Sequence, residues 1–432
     1  MQEERLSSIL IKGGRVIDPK SQLDSECDIL ISGSKIAKVG KGLKAARAQQ
    51  IKAHGKLVCP GFIDLHCHLR DPGRPDKETI ESGSTAAVAG GFTTICCMPN
   101  TEPPIDNEGI VTYICKEAAR VNLCRVYPIA AITKQREGKE LTEFGELIKA
   151  GARGFSDDGD VVEDSRVFRH ALEYSKTFDV PIFEHPLDSN MVADAVMNEG
   201  IMSTRLGLKG SPALAEEVIV ARDLRLAKFT GARLHLCHIS TAGALALIRA
   251  AKDDGVRVTC ETCPHYFYFN DETLATFDTN FKVNPPLRSE QDRRAVIEGL
   301  RDGTIDCIAT DHAPHCQAEK ELEITEAPFG MIGFETALSM IITELIQRQD
   351  FSWLDVIEKM TRAPARILKE PTGVIERGAI ADLTIIDPDK KWRLTPHAIH
   401  SKSHNSPLLN KTLTGKCVSV LVNGEVKYPA GT

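Results

Sequence analysis

The chain has 432 residues, of which 42% are hydrophobic and 26% charged, ordinary values for a globular protein with room for one large domain and a smaller one. A net charge of −7 with no dense stripe of Lys and Arg argues against nucleic-acid binding, because nothing would neutralise the phosphates. No apolar run reaches the roughly 18 residues that cross a bilayer, and residues 1–5 are mostly acidic and polar, so we expect a cytoplasmic protein with no membrane partner.

Both ends of the sequence predict short β-strands joined by turns. Between residues 9 and 39, apolar stretches surround turn-forming sequences such as Gly13-Gly14. Near the C-terminus, two apolar stretches flank Asn423-Gly424, a pair typical of a two-residue hairpin. We predict a small β-sandwich domain built from residues 1–59 and 371–432.

Between these ends, residues 60–370 alternate apolar strands with stretches of helical spacing. Eight strand–helix units predict a (β/α)8 barrel of the TIM type, whose active site lies at the carboxyl ends of the strands. A doubly wound sheet stays open as an alternative, although no G-x-G-x-x-G sequence follows the first strand. The predicted strands are 57–64, 92–98, 126–131, 152–155, 180–183, 233–236, 256–260 and 305–309.

The 13 cysteines do not predict a disulfide framework. Their number is odd, and Cys96 and Cys97 are adjacent. The single C-x-x-C sequence at Cys260 and Cys263 lacks the second pair of a structural zinc site. We expect most of the cysteines to be reduced and buried.

Several predicted strands end in residues that bind metal ions. Because residues i and i+2 of an extended chain share a face, His66 and His68 can reach one point. For any single His or Asp, a surface hydrogen bond or a helix cap is the commoner explanation. At the ends of one barrel, however, the set favours a metal centre of zinc type. Further candidates are Asp157 and Asp158 after the fourth strand, His185 after the fifth, His238 after the sixth, and Asp311 and His315 after the eighth.

Four His and two Asp of this set would give six ligands, which is more than one tetrahedral zinc ion uses. Two metal ions bridged by a carboxylate and a hydroxide would use them all. Such a centre would carry a small positive charge, which favours an anionic substrate. A hydroxide available at neutral pH indicates hydrolysis of an amide-like bond.

The motifs around these residues resemble those of a known family. Over nearly its whole length, the chain is similar to the type I dihydroorotases of bacteria, within the amidohydrolase superfamily. The matching motifs are Pro60-Gly61-Phe62-Ile63-Asp64-Leu65-His66-Cys67-His68-Leu69-Arg70, Met98-Pro99-Asn100-Thr101, Val283-Asn284-Pro285-Pro286-Leu287-Arg288, Asp311-His312-Ala313-Pro314-His315, Pro328-Phe329-Gly330 and Ser403-His404-Asn405-Ser406-Pro407.

This resemblance implies a role for each matched residue. The implied metal ligands are His66, His68 and Asp311 for a first zinc ion, His185 and His238 for a second, and Asp157 as the bridge between them. The implied substrate-binding residues are His68, Arg70, Asn100, Asn284, His315 and the backbone at Phe329 and Gly330. Asp311 would also act as the general acid and base.

The implied reaction is the reversible zinc-dependent cyclisation of N-carbamoyl-L-aspartate to (S)-dihydroorotate plus water, a step of de novo pyrimidine (UMP) biosynthesis. In the ring-opening direction, a metal-bridging hydroxide would attack the ring amide, and Asp311 would carry the proton to the leaving nitrogen. The resemblance also implies a homo-oligomer and an aspartate carbamoyltransferase as a partner.

Two alternatives stay open. A hydantoinase or an allantoinase commonly bridges its metals with a carboxylated lysine, whereas the fourth strand here ends in Ser-Asp-Asp-Gly and Lys149 lies in the preceding helix. A catalytically silent scaffold subunit for aspartate carbamoyltransferase should have lost metal ligands, and all six are present. The chain departs from the family at Pro186-Leu187 after His185, where Cys-Glu is common, and this changes the surroundings of that ligand.

Overall fold

The computed structural model describes residues 8–428. The acidic and polar residues 1–5, and the outermost parts of the predicted small β domain, lie outside this range. Among residues 8–428, no helix combines the length and the apolar character of a membrane span. All 13 cysteines lie within the range, none of them forms a disulfide, and most are buried.

The strands at the two ends of the described chain follow one another without an intervening α-helix, and most of the central strands alternate with helices. The strands are β1 (Ser8–Asp18), β2 (Leu23–Ser32), β3 (Lys35–Gly40), β4 (Gln49–Lys52), β5 (Leu57–Pro60), β6 (Phe62–Cys67), β7 (Phe92–Cys97), β8 (Arg125–Ala131), β9 (Gly154–Ser156), β10 (Ile182–Glu184), β11 (Met197–Asn198), β12 (Gly210–Ser211), β13 (Leu234–Leu236), β14 (Val258–Thr262), β15 (Cys307–Ile308), β16 (Leu383–Arg393), β17 (Thr412–Val422) and β18 (Glu425–Tyr428).

Helices connect the central strands. The α-helices are α1 (Ile80–Gly90), α2 (Glu108–Val121), α3 (Phe144–Ala150), α4 (Ser165–Phe178), α5 (Ile201–Leu206), α6 (Leu214–Thr230), α7 (Ala242–Asp253), α8 (Pro264–Tyr268), α9 (Glu290–Asp302), α10 (Gln317–Lys320), α11 (Phe334–Ile341), α12 (Trp353–Met360) and α13 (Arg362–Leu368). A π-helix, Ile342–Arg348, extends α11, and short 3-10 helices cover Lys134–Arg136, Asp271–Thr276, Thr279–Phe281 and Pro396–Ala398.

Eight parallel strands form the barrel that the sequence predicts. They follow the order β15-β14-β13-β10-β9-β8-β7-β6. A bridge between Cys67 and His312 connects the first strand to the segment after the last one. Asp64 reinforces this closure, because its carboxylate accepts hydrogen bonds of 2.8 and 2.6 Å from the backbone and hydroxyl of Thr310. The predicted (β/α)8 barrel is confirmed.

Helix α4 shows how local sequence places the outer layer. Asp164 caps its start by accepting hydrogen bonds from the backbone of Arg166 and Val167. Its buried residues recur at helical spacing, so one face packs on the barrel while the opposite face stays polar. These buried residues are Phe168, Ala171, Leu172 and Ser175.

A second sheet joins both ends of the described chain. Its order is β18-β17-β16-β5-β1-β2-β3, and β4 pairs with β1. This sheet has a hydrophobic core of its own, which includes Ile11, Val16 and Leu383. The predicted hairpin at Asn423-Gly424 joins β17 to β18, and both turn residues have positive φ, 52° and 76°, as a type I′ turn requires.

The predicted strand 57–64 is in fact two strands in different sheets. β5 ends at Pro60 and pairs with β16, whereas β6 begins at Phe62 and pairs with β7. Gly61 separates them where a side chain would not fit, because a Cβ atom there would lie 2.2 Å from the side chain of Thr93. Hydrophobicity alone cannot reveal such a change of sheet.

Candidate active site

Four histidine rings meet at the carboxyl ends of barrel strands. His66 lies in β6 and His68 just after it, while His185 and His238 follow β10 and β13. All four side chains are buried. His185 Nδ1 is 2.8 Å from His238 Nε2, and the ring centroids of His66 and His238 are 5.1 Å apart. The structure therefore brings these four predicted ligands together.

The carboxylate of Asp158 lies among these rings. Its Oδ1 atom is 3.2 Å from His66 Nε2, 3.6 Å from His185 Nδ1 and 3.7 Å from His238 Nε2. Its Oδ2 atom is 3.7 Å from His68 Nε2. Burial alone would raise the pKa of Asp158, but attraction to His66 and contacts with His185 and His238 hold this pKa well below its usual value.

The neighbouring Asp157, to which the family resemblance assigns the bridging role, points away from the histidines. Its carboxylate accepts a 3.0 Å hydrogen bond from the backbone of Thr133 and another from the Thr133 hydroxyl. Burial raises the pKa of Asp157 to about 6. Of the two aspartates, only Asp158 faces the histidines. The geometry therefore favours Asp158 over Asp157 as a bridging ligand.

Asp311 completes the cluster after the eighth strand. Its Oδ1 atom lies 3.0 Å from His68 Nε2 and 3.7 Å from His66 Nε2. Burial opposes ionisation, but His68 and His66 together hold the pKa of Asp311 below its usual value. The backbone is left-handed at Asp311 and His238, with φ of 47° and 37°. Such strain, about 1–3 kcal/mol per residue, is concentrated at functional sites.

Hydrogen bonds orient three of the histidine rings from behind. The pairs are His66 Nδ1 with Glu261 Oε1 at 3.0 Å, His68 Nδ1 with Asn100 Oδ1 at 2.8 Å, and His185 Nε2 with Asn284 Nδ2 at 3.4 Å. The oxygens of Glu261 and Asn100 accept from the Nδ1–H groups of His66 and His68, so Nε2 of both rings, which faces Asp158, is available as a ligand. The amide of Asn284 instead donates to Nε2 of His185. Asn100 and Asn284, which the family resemblance assigns to the substrate, thus also contact predicted metal ligands.

The cluster fits metal ions. His66 Nε2 and Asp158 Oδ1 are buried only 3.2 Å apart, yet neither has a hydrogen-bond partner among the described residues. Candidate ligand atoms of His66, His68 and Asp311, and likewise of His66, Asp158 and His238, lie within 4.8 Å of one another. Imidazole and carboxylate are ligands of zinc and similar divalent ions. A bound ion would satisfy buried polar atoms that are otherwise costly to leave without partners.

Positive charge lies beside this cluster. Arg70 donates to the carbonyl of Pro314 at 3.3 Å, and its Nη2 is 3.3 Å from Nε2 of His315. Lys77 Nζ lies 3.3 Å from the other ring nitrogen of His315. Burial lowers the pKa of Arg70 to about 10, so the guanidinium stays charged at neutral pH. Burial, followed by the charges of Arg70 and Lys77, lowers the pKa of His315 to about 2, which keeps its ring neutral.

A cavity of about 540 Å3 adjoins two of the predicted substrate-binding residues. Asn284 and Phe329 line it, together with the segments on either side of α5. Gly330, next to Phe329, donates its N–H to the carbonyl of Lys282 at 2.8 Å. Gly330 is also close to His315, because a Cβ atom on Gly330 would lie 3.3 Å from Cδ2 of that ring.

Three buried polar residues near the cluster were not among the predicted site residues: Glu261, His235 and His265. Glu261 Oε2 accepts a 3.1 Å hydrogen bond from His235 Nε2, while its other oxygen contacts His66. His265 is buried next to Asp311 and its Nε2 has no partner among the described residues. Glu261 could have been found from the sequence, because a charged residue inside a buried strand needs a buried partner. No comparable signal marked His265.

Comparison with known proteins identifies the family. The sequence profile described as dihydro-orotase-like matches residues 55–244. The chain is 46% identical over 422 residues to the dihydroorotase of Trichlorobacter lovleyi, with 98% of this chain and 99% of that protein covered. It is 48% identical to the dihydroorotase of Syntrophus aciditrophicus over 422 residues, 97% of this chain and 99% of that protein. The chain belongs to the dihydroorotase family.

Solved structures agree with this dihydroorotase family membership at the level of the fold. The L-hydantoinase (dihydropyrimidinase) of Arthrobacter aurescens superposes with a TM-score of 0.88 and 25% identity, covering 99% of this chain and 97% of that one. The D-hydantoinase (dihydropyrimidinase) of Thermus sp. gives a TM-score of 0.80 and 24% identity, with 98% and 96% covered. The dihydroorotases are about twice as similar in sequence, so the resemblance to that family is confirmed.

Proposed function

We propose that this chain is a dihydroorotase, a hydrolase of cyclic amides that interconverts N-carbamoyl-L-aspartate and (S)-dihydroorotate in pyrimidine biosynthesis. The observation that carries the proposal is the position of the half-buried Arg70 and the buried His315 beside the histidine–aspartate cluster. A site that both binds metal ions and offers a guanidinium suits a cyclic amide that bears a carboxylate. The relatives named dihydroorotase support the same substrate.

The cluster would hold two zinc ions. The ligands that we propose are His66, His68 and Asp311 for the first ion, His185 and His238 for the second, and Asp158, in place of Asp157, between them. When bound, such ions lower the pKa of a water molecule towards neutrality and polarise the amide carbonyl. Glu261 and Asn100 would keep the tautomers of His66 and His68 fixed.

The substrate carboxylate would lie on Arg70. A planar guanidinium binds a carboxylate through two parallel hydrogen bonds, which fixes orientation as well as position. Asn100 uses Oδ1 on His68, which leaves its NH2 group for an acceptor, and Asn284 would contribute from the cavity side. The neutral ring of His315, the ring of His68 and the backbone at Phe329 and Gly330 would hold the substrate ring.

Asp311 would move the proton. In ring opening, its carboxylate accepts the proton of the attacking water and passes it to the departing ring nitrogen. In ring closure, the same oxygen takes the proton of the carbamoyl nitrogen and returns it to the leaving water. The short contact with His68 holds the carboxylate in place for both directions.

Ring opening of dihydroorotate, followed by its loss of ultraviolet absorbance with the zinc content measured alongside, tests this function. We expect zinc-dependent turnover that Asp311→Ala abolishes and that Asp253→Ala, an exposed change at the end of α7, leaves intact. Zinc-loaded protein without turnover would favour the alternative of a silent scaffold subunit for aspartate carbamoyltransferase. Turnover of hydantoin or allantoin instead would favour the other cyclic amidohydrolases.

We also propose a domain division, a cellular location and binding partners for the enzyme. Residues 1–59 and 371–432 would form the small β domain and residues 60–370 the barrel, supported by the change of sheet between Pro60 and Phe62. The unpaired thiols support a cytoplasmic location.

A homo-oligomer and an aspartate carbamoyltransferase partner are proposed from the family resemblance. Light scattering of the pure protein tests the first, and light scattering of its mixture with that carbamoyltransferase tests the second.

A further inference from the structure

One of the sequence motifs, residues 403–407, has no role in the chemistry described so far, yet its asparagine reaches the active site. The side chain of Asn405 is buried. Its Oδ1 atom accepts a 3.1 Å hydrogen bond from the backbone N–H of His315. Its Nδ2 atom donates to the carbonyls of Ala313, at 2.9 Å, and Gly330, at 3.2 Å. One amide group thus connects both segments that we assign to the substrate ring.

The backbone of Asn405 adds a further connection. Its carbonyl accepts a 3.0 Å hydrogen bond from the N–H of Ile332. The carbonyl of Gly330 is shared, because Lys320 Nζ also donates to it at 3.0 Å. Asn405 therefore fixes the segment 330–332 against the segment 313–315.

The two segments are packed too closely for this spacing to vary freely. Gly330 has φ of 129°, and a Cβ atom there would lie 2.7 Å from Cβ of Ala313 and 3.3 Å from Cδ2 of His315. A shift of a few tenths of an ångström at the Gly330 carbonyl would therefore be transmitted to the His315 ring. Tight packing of this kind moves as a unit rather than deforming locally.

We propose that Asn405 is a positioning residue for substrate binding, which sets the distance between the His315 ring and the Phe329–Gly330 backbone. This proposal rests on the proposed function, in which those groups hold the substrate ring. Asparagine suits the task because its donor and its acceptor lie in one plane and carry no charge. Asn405 contacts none of the predicted metal ligands, so its effect falls on the substrate and not on the metal ions.

The segment that carries Asn405 is attached to the barrel by other residues. The hydroxyl of Ser403 donates to the carbonyl of Lys77 at 2.7 Å, and Ser401 donates to the buried carboxylate of Glu78. Leu408 packs in a hydrophobic cluster with Ile332 and Met340. Substitution of Asn405 should therefore leave the segment in place and change only the alignment of the loops.

The test uses the zinc-loaded full chain and two variants. Asn405→Asp keeps the size and the acceptor for the His315 N–H but loses both donated hydrogen bonds, and Asn405→Ala loses all three. His404→Ala is the matched control, because His404 is adjacent in the motif and exposed. The readouts are kcat and KM for dihydroorotate, zinc content, and the Kd of orotate, a planar ring with the same carboxylate, measured by calorimetry.

We expect KM and the orotate Kd to rise about 10-fold for Asn405→Ala, which loses the buried hydrogen bonds, and up to about 100-fold for Asn405→Asp, whose carboxylate would also face the carbonyl oxygens of Ala313 and Gly330. We expect kcat to change by less than about 3-fold, with unchanged zinc content and His404→Ala like the parent. If one of the two variants does not fold, the kinetics and the orotate binding of the other one test the proposal. Unchanged KM and Kd in the folded variants, or a loss confined to kcat or zinc, overturns the proposal. A parent chain that neither opens dihydroorotate nor binds orotate would instead reject the proposed function on which it rests.

Discussion

Asp158 Oδ1 lies 3.2 Å from His66 Nε2, whereas the carboxylate of Asp157, its neighbour in the sequence, is hydrogen-bonded to Thr133. Two chemically identical side chains, adjacent in the chain, thus have different tasks. One faces the imidazoles, and the other holds the loop after β8 against the loop after β9.

This difference predicts opposite results for two matched substitutions. Asp158→Asn should lower the zinc content and reduce turnover at least about 1,000-fold, because a bridging carboxylate is lost. Asp157→Asn should retain both zinc and most of the activity, with stability reduced by about 1–2 kcal/mol through the weaker contact with Thr133. Metal analysis, turnover and thermal unfolding of both variants check this. Loss of zinc in Asp157→Asn alone would restore Asp157 as the bridge.

Glu261→Gln should weaken metal binding about 10- to 100-fold by releasing the orientation of His66. Burial would raise the pKa of Glu261, but hydrogen bonds from His235 and His66 outweigh it and lower the pKa to about 2, so the residue is a carboxylate at any pH of interest. Competition with a chelator measures the affinity. Glu272→Gln, an exposed change, is the control, and equal chelator resistance in both variants would contradict the role of Glu261.

Arg70→Lys should reduce kcat/KM about 10- to 100-fold while the zinc content stays constant. A lysine keeps the positive charge but cannot bind a carboxylate through two parallel hydrogen bonds, and charge-assisted hydrogen bonds contribute about 1.5–3 kcal/mol each. Steady-state kinetics with dihydroorotate measure the change. Arg166→Lys on the exposed face of α4 should behave like the parent chain. Full activity of Arg70→Lys would place the substrate carboxylate elsewhere.

Lys320 should make the free energy of unfolding increase with pH above neutrality. Burial, and next the charge of Lys282, lower the pKa of Lys320 to about 7 from 10.5. Between these two values the unfolded chain binds more protons than the folded one, so the free energy of unfolding rises with pH across this window.

Lys320→Met should remove that rise. At alkaline pH it should also lower stability by about 1 kcal/mol, because the neutral amine still donates to the carbonyls of Pro328 and Gly330. Urea unfolding at several pH values measures both effects, with the exposed Lys116→Met as the control. The same pH slope in Lys320→Met and the parent chain would exclude Lys320 as the source.

The barrel and most of the ligand cluster could be predicted from the sequence, since apolar strands and strand-end histidines follow simple periodicities. The choice between Asp157 and Asp158 could not, because β9 ends at Ser156 and alternation no longer fixes which way the next side chains point. Gly61, where the chain changes sheets, shows the same limit. A glycine is needed there because the side chain of Thr93, a neighbour in space and not in sequence, leaves no room for a Cβ atom.

The contacts of Asn405 could not be predicted from the sequence at all. Its partners Ala313, His315 and Gly330 precede it by 75 to 92 positions, and no periodicity links them. Glu261 is the opposite case, because a charge within an otherwise uncharged strand is visible in the sequence alone. Long-range contacts between a polar side chain and the backbone depend on the fold itself.

The sheet shared by both chain ends has a consequence for how the protein is made. β5 pairs with β1 on one side and with β16 on the other. During synthesis, the strands β1 to β5 emerge from the ribosome long before Leu383, so one edge of β5 has no partner while the whole barrel is being translated. An exposed strand edge is a site for wrong pairing with other chains. The nascent chain therefore exposes this strand edge to wrong pairing until its last strands are synthesised.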